Sequence, residues 1–392
     1  MSSSLSFSDT AIAFESRSND DLKRAHMLFK AIGYNWLVQM GPGLVQLSYA
    51  LKLPIEGIIR KTIFKQFCGG ESIDDCENTI NELWNYRIGT ILDYSVEGEE
   101  KEEVFDATTE EIIRTIQKAA GNETIPFSVF KMTGIARFHL LFRINSHNQL
   151  EQKETEEYNK VKERLDKICK AAHDNDVRLF IDAEESWVQD TIDSLSRAMM
   201  LKYNKEKPIV YNTIQLYRHD RLEFLKRSFS DAKINNYKLG LKLVRGAYME
   251  KERERADDKV YDSPIQPNKT STDRDYNEAL RFCIKHIDVI ALCAGTHNED
   301  SSQLLVDLMQ ENNISPNDKR IYFSQLLGMS DHLSYNLSHA GYNVAKYVPY
   351  GPVKAVLPYL VRRAQENTSV KGQTGRELSL IKTELKRRQT EK

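Results

Sequence analysis

Eight short apolar or β-branched runs recur along this chain, each followed by an amphipathic helical stretch, and that alternation restricts the fold more than any other feature. The runs are GTILDYSV (89–96), FSVFKMTG (127–134), VRLFIDAE (177–184), IVYNTIQLY (209–217), LGLKLVRGAY (239–248), VIALCAGTH (289–297), RIYFSQLLG (320–328) and NVAKYVPYG (343–351). Strands that alternate with helices pair in parallel, because each helix returns the chain to the starting end of the sheet. Eight such units over roughly 260 residues match the length of an α/β fold of the (β/α)8 TIM-barrel type. A closed parallel barrel directs all strand C-termini to one mouth, where this architecture places its chemistry. Polar residues stand near the end of every run: Glu97, Lys131, Asp182, Gln215, Lys242 with Arg245, Thr296 with His297, Gln325 and Tyr347. They predict a polar rim around a single pocket.

The first eighty or so residues read as helical instead. Leu22, Ala25, Leu28, Phe29 and Ile32 follow the 3.6-residue period behind a Ser18/Asn19 cap. A second helical stretch is broken at Pro54 and ended at Gly69–Gly70. GPG at 41–43 lacks the preceding strand and the third glycine of a dinucleotide-binding loop. The chain thus divides into an N-terminal helical region (1–84), the barrel (85–370) and a basic helical tail (371–392). In the tail, Lys382, Lys386, Arg387 and Arg388 oppose Leu378, Leu380, Ile381 and Leu385. That pattern fits a weak membrane-surface helix or a solvated terminal helix.

After the eighth run comes VLPYLVRRAQEN (356–367). Spacings of three and four set Tyr359, Arg362, Arg363 and Glu366 on roughly one side of a helix. Two guanidiniums there suit a carboxylate, because each planar fork donates two parallel hydrogen bonds. The alternative is a solvated arginine pair beside Glu366.

Composition removes several function classes. The net charge of −2 on 392 residues gives no electrostatic footprint for nucleic acid. The five cysteines (68, 76, 169, 283 and 293) are odd in number and form no CxxC. A disulfide framework or metal site is not expected, and a reducing compartment fits. No run approaches ~18 apolar residues, so no membrane span is expected. The N-terminus carries Asp9, Glu15, Asp20 and Asp21, which argues against a secretory signal or an uncleaved transit peptide.

Six blocks, in order, carry a resemblance: FIDAEES (180–186), KLVRGAY (242–248), THNED (296–300), QLLGM (325–329), KYVPYGPV (346–353) and YLVRRAQEN (359–367). Together they resemble the proline dehydrogenase family, from about Glu97 to Asn367. The resemblance implies a distorted (β/α)8 barrel that binds FAD without a Rossmann fold. It implies oxidation of L-proline to Δ1-pyrroline-5-carboxylate, with electrons passed to a membrane quinone. It further implies peripheral association with the membrane and a downstream pyrroline-5-carboxylate dehydrogenase.

Carried over by residue, Arg362 and Arg363 bind the substrate carboxylate with help from Lys131, and Tyr347, Tyr359 and Leu326 wall the ring. Asp182 fixes the substrate and flavin side, and Lys242 lies near flavin N5. Ala183, Gln215, Arg245, Gly246, Ala247, Tyr248, Thr296 and His297 hold the cofactor. Glu97 closes a gate over the mouth, and Glu366 supports the cofactor or the arginines. The plainer readings are a strand lysine at Lys242, a strand-end turn at Gly246 and a structural histidine at His297. Of the acids 182–185, one balances the site's cations and the others are solvated.

The resemblance also implies that Tyr347 favours proline over hydroxyproline, since hydroxyproline-oxidising relatives tend to have a smaller residue there. The rival functions are a hydroxyproline dehydrogenase, a Schiff-base lyase or aldolase acting through Lys131 or Lys242, and a non-catalytic amino-acid-binding barrel. The expected location is the cytoplasmic face of a bacterial inner membrane, or alternatively the matrix side of the mitochondrial inner membrane.

Overall fold

A computed structural model describes residues 5–32, 56–95, 100–369 and 373–391. The expected gate at Glu97 and the side chain of Glu366 lie outside the described residues. The chain enters through α1 (Thr10–Ala13) and α2 (Asn19–Ile32). As the sequence predicts, Ser18 caps α2. Its Oγ accepts from the Asp21 N–H at 3.1 Å, and the Asp21 carboxylate accepts from the Ser18 N–H at 3.3 Å. A third helix, α3 (56–67), includes a π-helical turn at Arg60–Phe64 and stops where Cys68 turns extended beside Gly69. Helix α4 (Glu77–Trp84) then delivers the chain to the barrel.

The barrel proceeds as β1 (Ile88–Tyr94), α5 (Glu102–Ala119), β2 (Phe127–Lys131), α6 (Phe138–Asn145), α7 (Gln152–Asp174), β3 (Arg178–Asp182), α8 (Ser186–Tyr203) and β4 (Val210–Gln215). It continues as α9 (Arg221–Ile234), β5 (Leu239–Val244), α10 (Met249–Lys259), α11 (Lys269–Lys285), β6 (Ile290–Gly295), α12 (Glu299–Glu311), β7 (Ile321–Leu326), α13 (Asp331–His339) and β8 (Val344–Tyr350). The eight strands close in sequence order, all parallel. Closure is by β8 on β1, in register from Ile88 opposite Val344 to Tyr94 opposite Tyr350. Every predicted run coincides with one strand and starts within one residue of it.

The barrel interior is solid below that mouth. Phe127 and Phe180 stack at 4.3 Å between centroids, with Tyr211 and Tyr322 set edge-on against Phe127. Ile91, Val129, Ala291, Cys293 and Ala345 complete this layer. The site therefore rests on a packed aromatic floor.

A second apolar core lies outside the barrel. Helix α14 (Val353–Ser369), which carries the arginine pair, packs through Val356, Tyr359 and Leu360 against Phe14, Leu22, Phe29 and Phe67. Leu380 and Ile381 of α15 (Gln373–Thr390) are buried in the same cluster, with Leu378 and Leu385 packed onto it. This overturns the reading of the tail as a membrane-surface helix, since its apolar side is consumed inside the protein. One of its basic residues also turns inward: Arg388 donates to the Phe14 and Arg17 carbonyls at 2.7 Å and to Asn19 Oδ1 at 3.0 Å, whereas Lys382 and Lys386 stay exposed. Among the described residues no helix is long and apolar enough to cross a membrane.

Candidate active site

The site is built directly on the aromatic floor. Along β3, Phe180 and Asp182 share a face because side chains alternate. Lys242 rises from β5 between them and Tyr347 of β8. It is only 4% exposed. A buried ammonium needs both an opposite charge and hydrogen bonds. Here Asp182 forms the ion pair. Lys242 Nζ also donates to the Tyr347 phenol oxygen at 2.5 Å, and that hydroxyl donates on to Asp182 at 3.2 Å. The ammonium sits 4.6 Å from the Tyr347 ring centroid and 5.3 Å from that of Phe180, within cation–π range. Burial, then the Asp182 charge, pushes the Tyr347 phenol well above its ordinary pKa, so it remains a neutral donor.

Beside this triad lies the β2–β3 rim. Lys131 and Asp182 are register partners at the two strand ends. Glu184 reaches back to the turn after Lys131. Its carboxylate accepts from the Thr133 N–H at 3.0 Å and from the Thr133 hydroxyl at 2.5 Å. Burial pushes the Glu184 carboxyl up to about 7, even though Thr133 and Lys131 favour its charged form. The expectation that Glu184 and Glu185 are solvated is wrong, since both are buried. Helix α8 starts directly after them and folds both inward, and Glu185 pairs with Lys251 of α10.

Gln215, at the end of β4, donates through Nε2 to the Glu184 carbonyl at 3.0 Å. Its Oε1 is buried and finds no partner among the described residues. An orphaned acceptor at a barrel mouth marks a place for a ligand donor.

The β5–β6 rim is a guanidinium network. Arg245 donates to Asp273 at 2.8 Å, to Thr296 Oγ1 at 2.7 Å and to Ser301 Oγ at 2.9 Å. Gly246 has φ +134, and a Cβ there would stand 2.5 Å from the Tyr217 ring. Glycine is thus required by the left-handed backbone and by Tyr217 packed against it. Ala247 is exposed next to it, and Tyr248 is half-buried. Charges on Lys131, Glu184 and Arg362 act on the Tyr248 phenol, which burial above all pushes up.

His297, after β6, is held neutral. Burial, then the charges of Lys346, Arg363, His332 and Arg245, brings its pKa down to about 3. Its Nδ1 lies 2.9 Å from Ser330 Oγ.

Helix α14 follows directly on β8. Tyr359 and Arg363 are buried, and the Arg363 guanidinium lies 5.0 Å from the Tyr359 ring centroid. Arg362 acts on Tyr248, next to Lys131, whereas Arg363 acts on His297, next to Lys346. The two guanidiniums thus act on different rim residues. Leu326 closes the row as the register partner of Tyr347. Lys131, Lys242, Arg245, Arg362 and Arg363 gather on one mouth, an arrangement suited to anionic ligands.

Sequence reasoning missed the support of this site. Lys346 is buried and donates to Asp331 at 2.6 Å and to the Met329 carbonyl at 2.7 Å. Arg17, from the α1–α2 connection, holds the same carboxylate at 3.1 Å. Glu377 of α15 accepts from the Ser330 N–H at 2.5 Å. The fully apolar setting of Lys346 within KYVPYG was the available signal, because a lysine inside a buried strand requires a partner.

A closed parallel barrel with a floor of aromatic rings and a cation-rich mouth at its strand C-termini is the architecture of a (β/α)8-barrel enzyme. The protein-family model for proline dehydrogenase matches residues 76–376. The chain belongs to the proline dehydrogenase family, a group of oxidoreductases of proline metabolism.

Among its relatives is a proline dehydrogenase 1, mitochondrial, of Dictyostelium discoideum, 36% identical over 97% of this chain and 74% of that protein. A hydroxyproline dehydrogenase of Xenopus laevis is 30% identical over 98% of this chain and 90% of that protein. The proline utilization A (PutA) structure from Bdellovibrio bacteriovorus, inactivated by N-propargylglycine, superposes with a TM-score of 0.72 at 19% identity. That match covers 93% of this chain and 38% of the larger one, and it supports the barrel fold.

Proposed function

We propose that this protein is an FAD-dependent dehydrogenase that oxidises L-proline to Δ1-pyrroline-5-carboxylate and delivers the electrons to a membrane quinone, the first step of proline catabolism. The observation that carries the reading is Lys242, a buried ammonium fixed by Asp182 and Tyr347 beneath the arginine helix. The residues fit a flavin. Gln215 Oε1 offers an unpaired buried acceptor to a ring N–H, and neutral His297 and the Arg245–Thr296 network suit the ribityl and phosphate groups. A flavin bound there supplies the acceptor for a hydride.

The chain's own residues do the rest. Arg362 and Arg363, assisted by Lys131, fix the proline carboxylate by charge-assisted bonds. Leu326, Tyr347 and Tyr359 confine the ring and exclude water, so that C5 is aimed by its opposite side. Lys242 places a positive charge where the accepted electron pair concentrates negative charge. In balance, proline loses the C5 hydrogen with its electron pair and the nitrogen loses a proton, and a C=N bond forms.

Tyr347 favours proline, since its phenol, tied to Lys242 and Asp182, fills the space that a ring hydroxyl requires. Similarity to a hydroxyproline dehydrogenase keeps that substrate as the second reading. The lyase reading is weakened because Lys242 Nζ is engaged by Asp182 and Tyr347 instead of being free to attack a carbonyl. The mitochondrial relative favours the matrix side of the mitochondrial inner membrane over a bacterial membrane.

The test is a visible spectrum of the purified protein before and after anaerobic L-proline, with trans-4-hydroxy-L-proline in parallel. Bleaching of a yellow chromophore by L-proline first supports the reading. A colourless protein inactivated by borohydride plus substrate replaces it with the lyase, and preferential bleaching by hydroxyproline changes the substrate.

A further inference from the structure

We propose that Glu377, on α15, is a positioning residue that sets the His297 ring at the barrel mouth through Ser330. The inference rests on the cofactor role assigned above to His297. Its starting point is the turn between β7 and α13. Ser330 there has φ +50 and ψ +43, a left-handed conformation in a residue other than glycine. An L side chain adopts that conformation at a cost, and the surroundings must hold it.

Two groups hold this turn from opposite sides. From the strand side, Lys346 donates to the Met329 carbonyl at 2.7 Å and to the Asp331 carboxylate at 2.6 Å. From the helix side, Glu377, only 3% exposed, takes the Ser330 N–H at 2.5 Å. With the backbone so fixed, Ser330 Oγ points at His297 Nδ1, 2.9 Å away. That bond sets the ring plane and leaves Nε2 for the mouth.

Glu377 lies just beyond residues 76–376, which the family model matches, and Arg17, which grips the neighbouring Asp331, lies well before them. In this chain, then, segments flanking the matched domain secure the turn on which a site residue depends. His332 adds a further tie: its Nε2 lies 3.1 Å from Glu299, and Arg376 donates to that carboxylate at 2.7 Å. Both bonds anchor the start of α15 over the turn.

The test compares Glu377→Ala, Glu377→Gln and Ser330→Ala in the purified full chain. The readouts are the histidine-selective 15N NMR signal of His297, identified by its loss in His297→Asn, and KM and kcat for L-proline together with flavin retention. Glutamine keeps an oxygen for the Ser330 N–H, so Glu377→Gln is expected to keep the His297 signal. Glu377→Ala is expected to displace the signal and weaken flavin retention by about tenfold, the usual consequence of one lost buried bond. Ser330→Ala, which removes only Oγ, is expected to move the His297 signal too.

An unmoved His297 signal in a folded Glu377→Ala protein overturns the proposal, as does a glutamine variant no better than alanine. If Glu377→Ala fails to fold, Glu377→Asp, whose shorter side chain withdraws from the Ser330 N–H, takes its place: a displaced His297 signal supports the proposal and an unmoved one overturns it. If the unaltered protein fails to bleach with proline, the functional reading falls. The NMR signal still reports the link from Glu377 to His297 by itself.

Discussion

Replacing Asp331 tests the buried charges under the site most directly. Its carboxylate, 9% exposed, sits between Lys346, 1% exposed, and Arg17, 31% exposed. Asp331→Leu strips Lys346 of its paired carboxylate and leaves the ammonium the Met329 and Leu326 carbonyls as acceptors, with the Glu377 charge farther off. Breaking a buried pair from one side costs about 3–5 kcal/mol. Lys346→Met costs less, about 1–3 kcal/mol, because Asp331 retains Arg17 at 3.1 Å.

The double variant behaves differently. Burial pulls the Lys346 ammonium below its ordinary pKa even with Asp331 beside it, so desolvation outweighs attraction on the lysine side. Two apolar residues of similar size therefore cost less than Asp331→Leu alone, because only the partly exposed Arg17 is left without its carboxylate, a coupling of about 1–3 kcal/mol. Urea unfolding followed by circular dichroism measures all three. Single costs that simply add in the double variant refute the reasoning.

The pH dependence provides a second check. Against the upward push of burial, Lys346 and Arg17 hold Asp331 at about 2 compared with an ordinary 3.8. A depressed carboxyl contributes stability that is present above 3.8 and lost as pH falls through 2, here on the order of 2 kcal/mol. Asp331→Leu removes that acid-side loss.

Further outcomes are expected in the site itself. Arg362→Met or Arg363→Met raises KM for proline about 10- to 100-fold, the worth of charge-assisted bonds, with flavin retained; steady-state kinetics and the flavin spectrum decide, and loss of flavin with unchanged KM rejects the clamp. Tyr347→Ser raises kcat/KM for hydroxyproline relative to proline, and an unchanged ratio removes Tyr347 from the specificity argument. Glu184, at about 7 when folded against 4.5, contributes stability that is full below pH 4.5 and lost as pH rises through 7. Glu184→Gln therefore flattens the stability profile between those values, which denaturation at stepped pH measures.

The barrel was legible because its signal is local. Each strand combines a short β-branched run with a polar residue at its end, and the run starts fall within one residue of the observed strands. The mouth residues followed from parallel closure, which leaves a strand end such as Lys131 or Asp182 nowhere else to go. What stayed hidden depends on long-range packing. Nothing near Glu184 indicates that it turns inward to Thr133, and nothing near Arg17 points to Asp331, 314 residues away. The tail misled for the same reason: an amphipathic pattern reports an apolar side without naming what covers it.

The second core also bears on synthesis. Phe14, Leu22 and Phe29 leave the ribosome early, the arginine helix late, and Leu380 and Ile381 later still. Because domains form as the chain emerges, the eight strands can close while the seat of Arg362 and Arg363 is still incomplete. The nascent barrel thus waits without a seated arginine helix until α15 docks, so a chain arrested before residue 380 presents a formed barrel and a long exposed apolar seam for a chaperone to cover.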